Sequence, residues 1–390
     1  MDLSDLHHKF YPTPFAQKAD KPLILVVSPY QVYPANHGGT IRIAELLEIL
    51  KTEYRVVLLT DERTLYNSET IQHYGGLHSV HNVGRPVEKT IERTDERIAR
   101  ILNHSHRRFR VELSRLVATY GAEVVQVEFI ELGALILVRD GFAKWFLTLH
   151  DVLLSGKGSD ADRFEESFIE RYDAAITCSK EDADLMHGDV EVIPNGTRMA
   201  RLPYESSQGN MSILFAGPFR YPPNLGGITI FLQSVYPGLK ERIPNLELVI
   251  LGGRLATQTA RTEACFQQPG VIVCDQVSEV EPYLRGCALT INPLIDIRGS
   301  SIKLIESLAA GRVCVSTVDG ARGFLERYPS LIAVDTIEDF APVLERLILD
   351  EPYRLRLERP SSELLNESSW DNSGRRLLEV YRKHFARGAQ

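Results

Sequence analysis

Apolar runs of strand length recur along this chain, and a helical pattern accompanies most of them. "PLILVVSPY" (22–30) is continuously apolar, and "TIRIAELLEIL" (40–50) follows it with helical spacing. "RVVLLT" (55–60), "EVVQVEF" (123–129), "KWFLTLH" (144–150) and "AAITCS" (174–179) repeat the theme. A continuous apolar run of this length suits a strand covered on both faces, and alternation with helices predicts a parallel sheet. The rhythm breaks at "EVIPNGTRMARLPYESSQGN" (191–210), rich in turn formers, which reads as a connector. It restarts with "MSILFAG" (211–217), "LELVILGG" (246–253), "GVIVCDQV" (270–277), "CALTINPL" (287–294), "VCVST" (313–317) and a strand near "LIAV". A chain of 390 residues exceeds one ordinary core. Two α/β domains in tandem are expected, with no repeat of fixed period. A His- and Gly-containing loop is expected after residue 60, and one long charged helix from about Val87 to Tyr120.

Composition narrows the partners. A net charge of -8 argues against broad nucleic-acid binding, which needs a basic surface. No apolar run is long enough to span a membrane, and the first twenty residues lack the basic-then-apolar order of a signal peptide. The cysteines at 178, 265, 274, 287 and 314 are scattered without CxxC spacing, as reduced core thiols in a cytosolic protein would be.

Several motifs carry chemistry. "GSSIKLIESLAAG" (299–311) follows a strand and opens a helix behind Gly299, Ser300 and Ser301. A helix N-terminus at the carboxyl end of a parallel strand offers free N–H groups to a phosphate. Lys303 would add a point charge, and the Glu306 carboxylate could accept from two vicinal hydroxyls. A capped helix with a solvated Lys–Glu pair is an equally good account of these residues taken alone. "PANHGGT" (34–40) holds the same place in the first half; it is neither GxGxxG nor a P-loop, and taken alone Gly38 and Gly39 read more readily as an ordinary turn. His150 and Asp151 end the strand "LTLHD", and Glu128 ends an earlier one. In "GPFRYPPN" (217–224), Arg220 could meet an anion. "HSHRRFRVELSR" (104–115) is basic with interleaved apolar residues and could touch an anionic lipid surface, although a solvated helix face is the simpler reading. The histidines at 73, 78, 81, 104 and 106 show no metal-ligand spacing.

Taken in order, the double glycine, "LHD", "VIPNG", "ILFAG", "GSSIKLIESLAAG" and "SSWDNSGRRLLEVYRKHF" resemble the family 4 (group 1) glycosyltransferases, from about Leu23 to Phe385. The resemblance implies the GT-B fold, an α/β architecture of two Rossmann-like parallel-sheet domains facing a central cleft. Residues 1–200 would form the acceptor domain, 201–365 the donor-nucleotide domain, and 366–390 a last helix crossing back. It implies a retaining, metal-independent transfer from a nucleotide-diphospho-sugar, UDP- or GDP-linked, to a glycan, a lipid-linked sugar or a small metabolite, without a cofactor. Carried over by position, Glu306 would hold the ribose, and Gly299, Ser300, Ser301, Lys303 and Arg220 the diphosphate. Gly38 and Gly39 would close over the phosphates, and His150 would sit by the reacting sugar. Val277 would meet the base, and Gly252 would permit close approach. The pattern departs at Arg298, where the family often has an acid; Arg298 would meet an acidic donor sugar, join the diphosphate site or turn to solvent. The usual basic entrance to the second domain is replaced by "GPFRYPPN", and Val313 stands where proline is usual. A nucleotide-sugar epimerase and a non-catalytic binding subunit remain the alternatives. The expected setting is cytoplasmic, with peripheral contact to the inner membrane face left open.

Overall fold

Both parallel sheets form. The computed structural model describes residues 8–11, 20–35, 37–62, 72–86, 94–154, 158–297, 299–324 and 328–387. The chain divides into unit 1, Met1–Pro194 with Ser373–Gln390, and unit 2, Asn195–Asn372.

In unit 1 the strands are β1 (His8–Tyr11), β2 (Leu23–Ser28), β3 (Arg55–Glu62), β4 (Ser79–Gly84), β5 (Val124–Glu128), β6 (Lys144–Leu149), β7 (Ala174–Thr177) and β8 (Val190–Val192). Their order across the sheet is β1-β4-β3-β2-β5-β6-β7-β8. Among the described residues, only the β1–β4 pairing is antiparallel. Strand residues alternate between two cores. Leu25, Val27, Val57 and Leu59 face α2 (Glu96–His104) and α3 (Arg107–Tyr120) through Ile101, Phe109 and Leu113. Ile24, Val26, Val56 and Leu58 face α1 (Gly38–Glu53) through Ile43, Leu47 and Leu50, together with Leu377, Leu378 and Tyr381 near the C-terminus. The Tyr381 hydroxyl donates to Gln126 Oε1 at 2.8 Å.

The structure differs from expectation in three places. The long helix is two helices, because the His106 ring accepts from Phe109 N and caps α3, while Ser105 Oγ donates to Glu131 O; residues 87–93 lie outside those described. The expected loop contains β4, whose polar residues are buried but hydrogen-bonded. His81 Nε2 meets Ser79 Oγ at 3.1 Å, and Thr60 Oγ1 donates to Asn82 Oδ1 at 3.4 Å. Finally, the stretch from Asn195 to Ala200, expected with the first domain, belongs to unit 2: Thr197 N donates to Ser368 O at 2.7 Å, and a side chain at Gly196 would strike Trp370.

Unit 2 pairs β9 (Ser212–Ala216), β10 (Glu247–Leu251), β11 (Val271–Cys274), β12 (Leu289–Asn292), β13 (Val313–Thr317) and β14 (Leu331–Val334), all parallel, in the order β11-β10-β9-β12-β13-β14. In each unit the chain winds one way and then the other. The switch falls between β2 and β5 in unit 1 and between β9 and β12 in unit 2. Crevices at such points, outside the carboxyl ends of the strands, are where open α/β sheets bind ligands.

A buried ionic cluster pins the incoming chain to unit 2. Glu358, wholly buried, accepts from Tyr204 Oη at 2.9 Å and from Ser207 Oγ. Arg354 Nε lies 3.5 Å and Arg312 Nη1 3.9 Å from its carboxylate. Removing one member strands a buried charge, so Glu358→Ala should cost about 3–5 kcal/mol in chemical denaturation. A loss below about 1 kcal/mol would show that the cluster is not what holds this segment.

Candidate functional site

Unit 1 also contains α4 (Asp160–Ile169). In unit 2, α5 (Pro222–Ser234) follows β9, and α6 (Ile302–Ala309) follows β12. Their first turns therefore meet at the switch point. The α5 terminus offers few free donors, because Pro222 and Pro223 lack N–H groups and Asn224 N bonds to Tyr221 O. The α6 terminus is open. Gly299 takes a φ of 71°, and Asn195 Nδ2 donates to Ser300 Oγ at 3.0 Å, fixing the approach. Ser301 is the N-cap residue, yet its side chain makes no capping bond, and its buried Oγ has no hydrogen-bond partner. The first helical bond runs from Leu304 N to Ser301 O, so the N–H groups of Ile302 and Lys303 remain available. An unpaired buried hydroxyl costs about 1–3 kcal/mol, which a hydrogen-bonding ligand would recover.

Lys303 and Glu306 make no ion pair, so the solvated Lys–Glu pair is not what forms. Lys303 Nζ instead donates to Asn224 Oδ1 and lies 5.2 Å from the centroid of the Phe215 ring. The side chain as a whole is half-buried, but burial of the ammonium end pulls its pKa down to about 7, with Cys314 opposing. Burial pushes the Glu306 carboxyl up to about 7. No described residue hydrogen-bonds that carboxylate. A cation and an acid, each short of partners, thus share the first turns of one helix beside its free N–H groups.

The other residues singled out in the second half are less converged. Arg220 lies in the exposed turn between β9 and α5, four residues before Asn224. A side chain at Gly252 would meet Ala256 Cβ at 2.4 Å and Phe219 Cζ at 2.9 Å, so packing already accounts for this glycine. Val277 packs with Leu214, Leu251 and Leu284 beyond β11. Arg298 lies outside the described residues.

In unit 1, Gly38 and Gly39 open α1 behind His37, whose ring accepts from Thr40 N while Thr40 Oγ1 accepts from His37 N. At the facing strand end, His150 Nε2 donates to Glu128 Oε2 at 2.8 Å, and both side chains are buried. In the tautomer that donates from Nε2, Nδ1 is the acceptor nitrogen. Phe129 stacks on the imidazole with ring centroids 3.9 Å apart. A side chain on Gly39 would come within 2.4 Å of Phe129 Cζ and 3.4 Å of His150 Nδ1. The structure therefore joins Gly39 to His150, through a phenylalanine that sequence reasoning overlooked. Phe129 has a φ of 71°, rare for a bulky residue.

Beside this group lies a second missed cluster. Asp61, fully buried at the end of β3, accepts from Arg85 Nε at 2.9 Å, His104 Nδ1 at 3.0 Å and His106 Nε2 at 3.1 Å. Burial raises its pKa, but the histidine hydrogen bonds and the Arg85 charge outweigh that and hold it below the usual carboxylate range. Tyr30 packs edge-on against His37, His104 and Phe129. An aspartate directly after an apolar strand, and two histidines spaced by one residue, were the available signals. Among the described residues, Asp189, Glu191 and His384 bring ligand atoms within 4.8 Å of one another. Lys383 Nζ already ion-pairs with Glu191 and lies 3.9 Å from Asp189, so the acidic charge there is answered.

Comparison with known proteins bears on this geometry. Residues 210–350 match the family model described as Glycosyl transferases group 1, a span that includes Asn224, Ser301, Lys303 and Glu306. The matched span lies within unit 2. The whole chain has the GT-B fold. Sucrose-phosphate synthase from Thermosynechococcus elongatus superposes with a TM-score of 0.70 at 16% identity, over 93% of this chain and 99% of that one. An α,α-trehalose 6-phosphate synthase from Burkholderia multivorans gives 0.67 at 12%, over 95% and 100%. HepE from Anabaena, solved with UDP and glucose, gives 0.67 at 13%, over 92% and 98%. A curated relative, an uncharacterized 44.6 kDa protein in the cps region of Klebsiella pneumoniae, is 24% identical over 119 residues, 29% of this chain and 31% of that protein. That match spans less than a third of the relative's length.

The depressed Lys303 pKa has a thermodynamic consequence. Between about pH 7 and 10.5 the unfolded chain holds a proton on this lysine that the folded chain lacks, so its contribution to stability rises with pH across that window. Glu306 acts oppositely: from 4.5 to about 7 the folded chain holds the extra proton, and stability falls as pH rises. Lys303→Met should flatten the rise above pH 7 in melting temperature measured against pH. An unchanged slope in the variant would place the titration elsewhere. In unit 1, Gly39→Ala should cost about 1–3 kcal/mol, as Phe129 is forced off His150. An unshifted melting temperature would contradict that.

Proposed function

We propose that the chain transfers a sugar from a nucleotide-diphospho-sugar to a glycan, lipid-linked or small-molecule acceptor. The observation that carries this reading is the α6 terminus. Free N–H groups, an unpartnered Ser301 hydroxyl, a partly neutralised Lys303 and an unbonded Glu306 sit together at a topological switch point, within the segment matching the group 1 model.

The chemistry follows from charge. As the glycosidic bond breaks, negative charge grows on the diphosphate, and fixed N–H dipoles stabilise it without reorganising. A phosphate beside Lys303 favours its protonated form, so the lysine gains its charge when the donor binds. Ribose hydroxyls donating to Glu306 favour its ionised form in the same way. Ser300 and Gly299 shape the approach, and Arg220 and Arg298 would extend the cationic side. In unit 1, His150 presents Nδ1 toward the Gly38–Gly39 turn, where it can accept a hydrogen bond from a sugar hydroxyl. Glu128 and Phe129 hold the ring. Gly252 and Val277 would border the base. We propose that the transfer retains configuration, as the family resemblance implies, and needs no added metal ion. HepE, solved with UDP and glucose, makes UDP the first nucleotide to try.

Thermal-shift titration with UDP, GDP, ADP and dTDP in chelator tests the reading. A nucleotide that binds the folded state raises the melting temperature with occupancy, by about 2.7 kcal/mol of stabilisation at a hundredfold excess over Kd. One of the four should stabilise the wild type, and Glu306→Ala should lose most of the shift. Radiolabelled sugar should then pass to an acceptor pool. If no nucleotide shifts the wild type, the donor-site reading fails. If binding occurs without transfer to any acceptor, the chain binds nucleotide-sugars without catalysing their use.

A further inference from the structure

The basic stretch at 104–115 is not used by the chemistry above. Its two histidines turn inward to Asp61, and Phe109 and Leu113 enter the core. The outer face of α3 is left with arginines. Arg115 is tied to Glu112 at 2.6 Å, whereas the side chains of Arg107 and Arg110 have no hydrogen-bond or ion-pair partner among the described residues. These two arginines, with Val111 and Ser114, line a groove of about 370 Å³ whose other wall is Leu137 and Val138, from the 3-10 helix Ile130–Val138.

Among the described residues, no acidic side chain lines this groove. The nearest acids along the chain are Glu112, neutralised by Arg115, and the exposed Asp140. Val111 is 60% and Leu137 46% exposed, and Phe142 is 99% exposed. Phe142 stands four residues beyond Val138, which keeps it within about 14 Å. A soluble polyanion would explain the unpaired arginines but not the bared valine, leucine and phenylalanine. A purely apolar partner would leave the arginines unexplained. An amphiphile with an anionic head answers both, with phosphate at Arg107 and Arg110 and acyl chains against the apolar residues. The chain as a whole carries -8, so an anionic surface would be held only through this local face.

We propose that the face formed by α3 and residues 130–143 docks on an anionic phospholipid surface. This stands apart from the transferase reading, since no donor or acceptor is invoked. The test is co-sedimentation of the full chain with phosphatidylcholine vesicles, with and without phosphatidylglycerol. The chain should pellet with the phosphatidylglycerol vesicles alone, and be released at about 0.5 M salt, where screening is nearly complete. Arg107→Gln with Arg110→Gln should lower the partition coefficient by roughly thirtyfold, the loss of two cationic side chains near the surface. Val111→Asp with Phe142→Asp should weaken binding as well. Arg107, Val111 and Phe142 are exposed and Arg110 is half-buried, none of them in the core, so melting temperatures should match the wild type and exclude misfolding. Equal pelleting with both vesicle types, or none with either, overturns the proposal. Binding to phosphatidylglycerol that survives Val111→Asp with Phe142→Asp also overturns it, in favour of a purely ionic contact.

Discussion

The contact between Lys303 and Asn224 underlies everything proposed for unit 2. It joins the first turn of α6 to the first turn of α5 across the switch point. It exists because α5 lies very close to the chain leaving β12: a side chain at Gly227 would come within 1.8 Å of the Pro293 carbonyl oxygen. Glycine at that position is thus a requirement of packing, and the packing sets the site. The ammonium is held by one neutral amide and one aromatic face instead of a carboxylate. A carboxylate there would saturate the lysine and repel a phosphate.

The two units solve the crevice differently. Unit 2 leaves polar groups unanswered at a helix terminus. At its own crevice unit 1 pairs its polar groups, with Glu128 on His150, Asp61 on three donors, and Thr40 and His37 capping each other. A satisfied network is stiff, and suits a surface that must present one nitrogen in one direction. An unsatisfied terminus suits a surface whose natural complement is a charged ligand.

Much of this was legible in the residues. Continuous apolar strands gave both sheets, and "GSSIKLIESLAAG" gave the helix that opens at the unit 2 crevice. What escaped was polar but buried. "SVHNVG" forms β4 because Ser79, His81 and Asn82 find partners on β3, α3 and within the strand, and hydrophobic periodicity is blind to such pairing. The break at His106 was hidden because a histidine cap resembles one more basic residue in a charged helix. Phe129 was hidden for a different reason. Its φ of 71° and its stack on His150 are set by a neighbour more than twenty residues away. The glycines point the other way: Gly39 and Gly252 carry a sequence signal for close approach, and the structure shows that each approaches a phenylalanine.

Unit 2 is one continuous stretch, and its two ends are fastened to each other by the Thr197–Ser368 bond and by Gly196 against Trp370. Unit 1 is closed in the same manner, with Ser373 Oγ donating to Pro194 O at 2.8 Å. The final helix, Trp370–Arg387, brings Leu377, Leu378 and Tyr381 to a sheet made nearly two hundred residues earlier. During synthesis, therefore, the first half must wait with one apolar face bare until the ribosome has finished all of the second. Unit 2 can fold as it emerges; unit 1 is completed only by residues made after it.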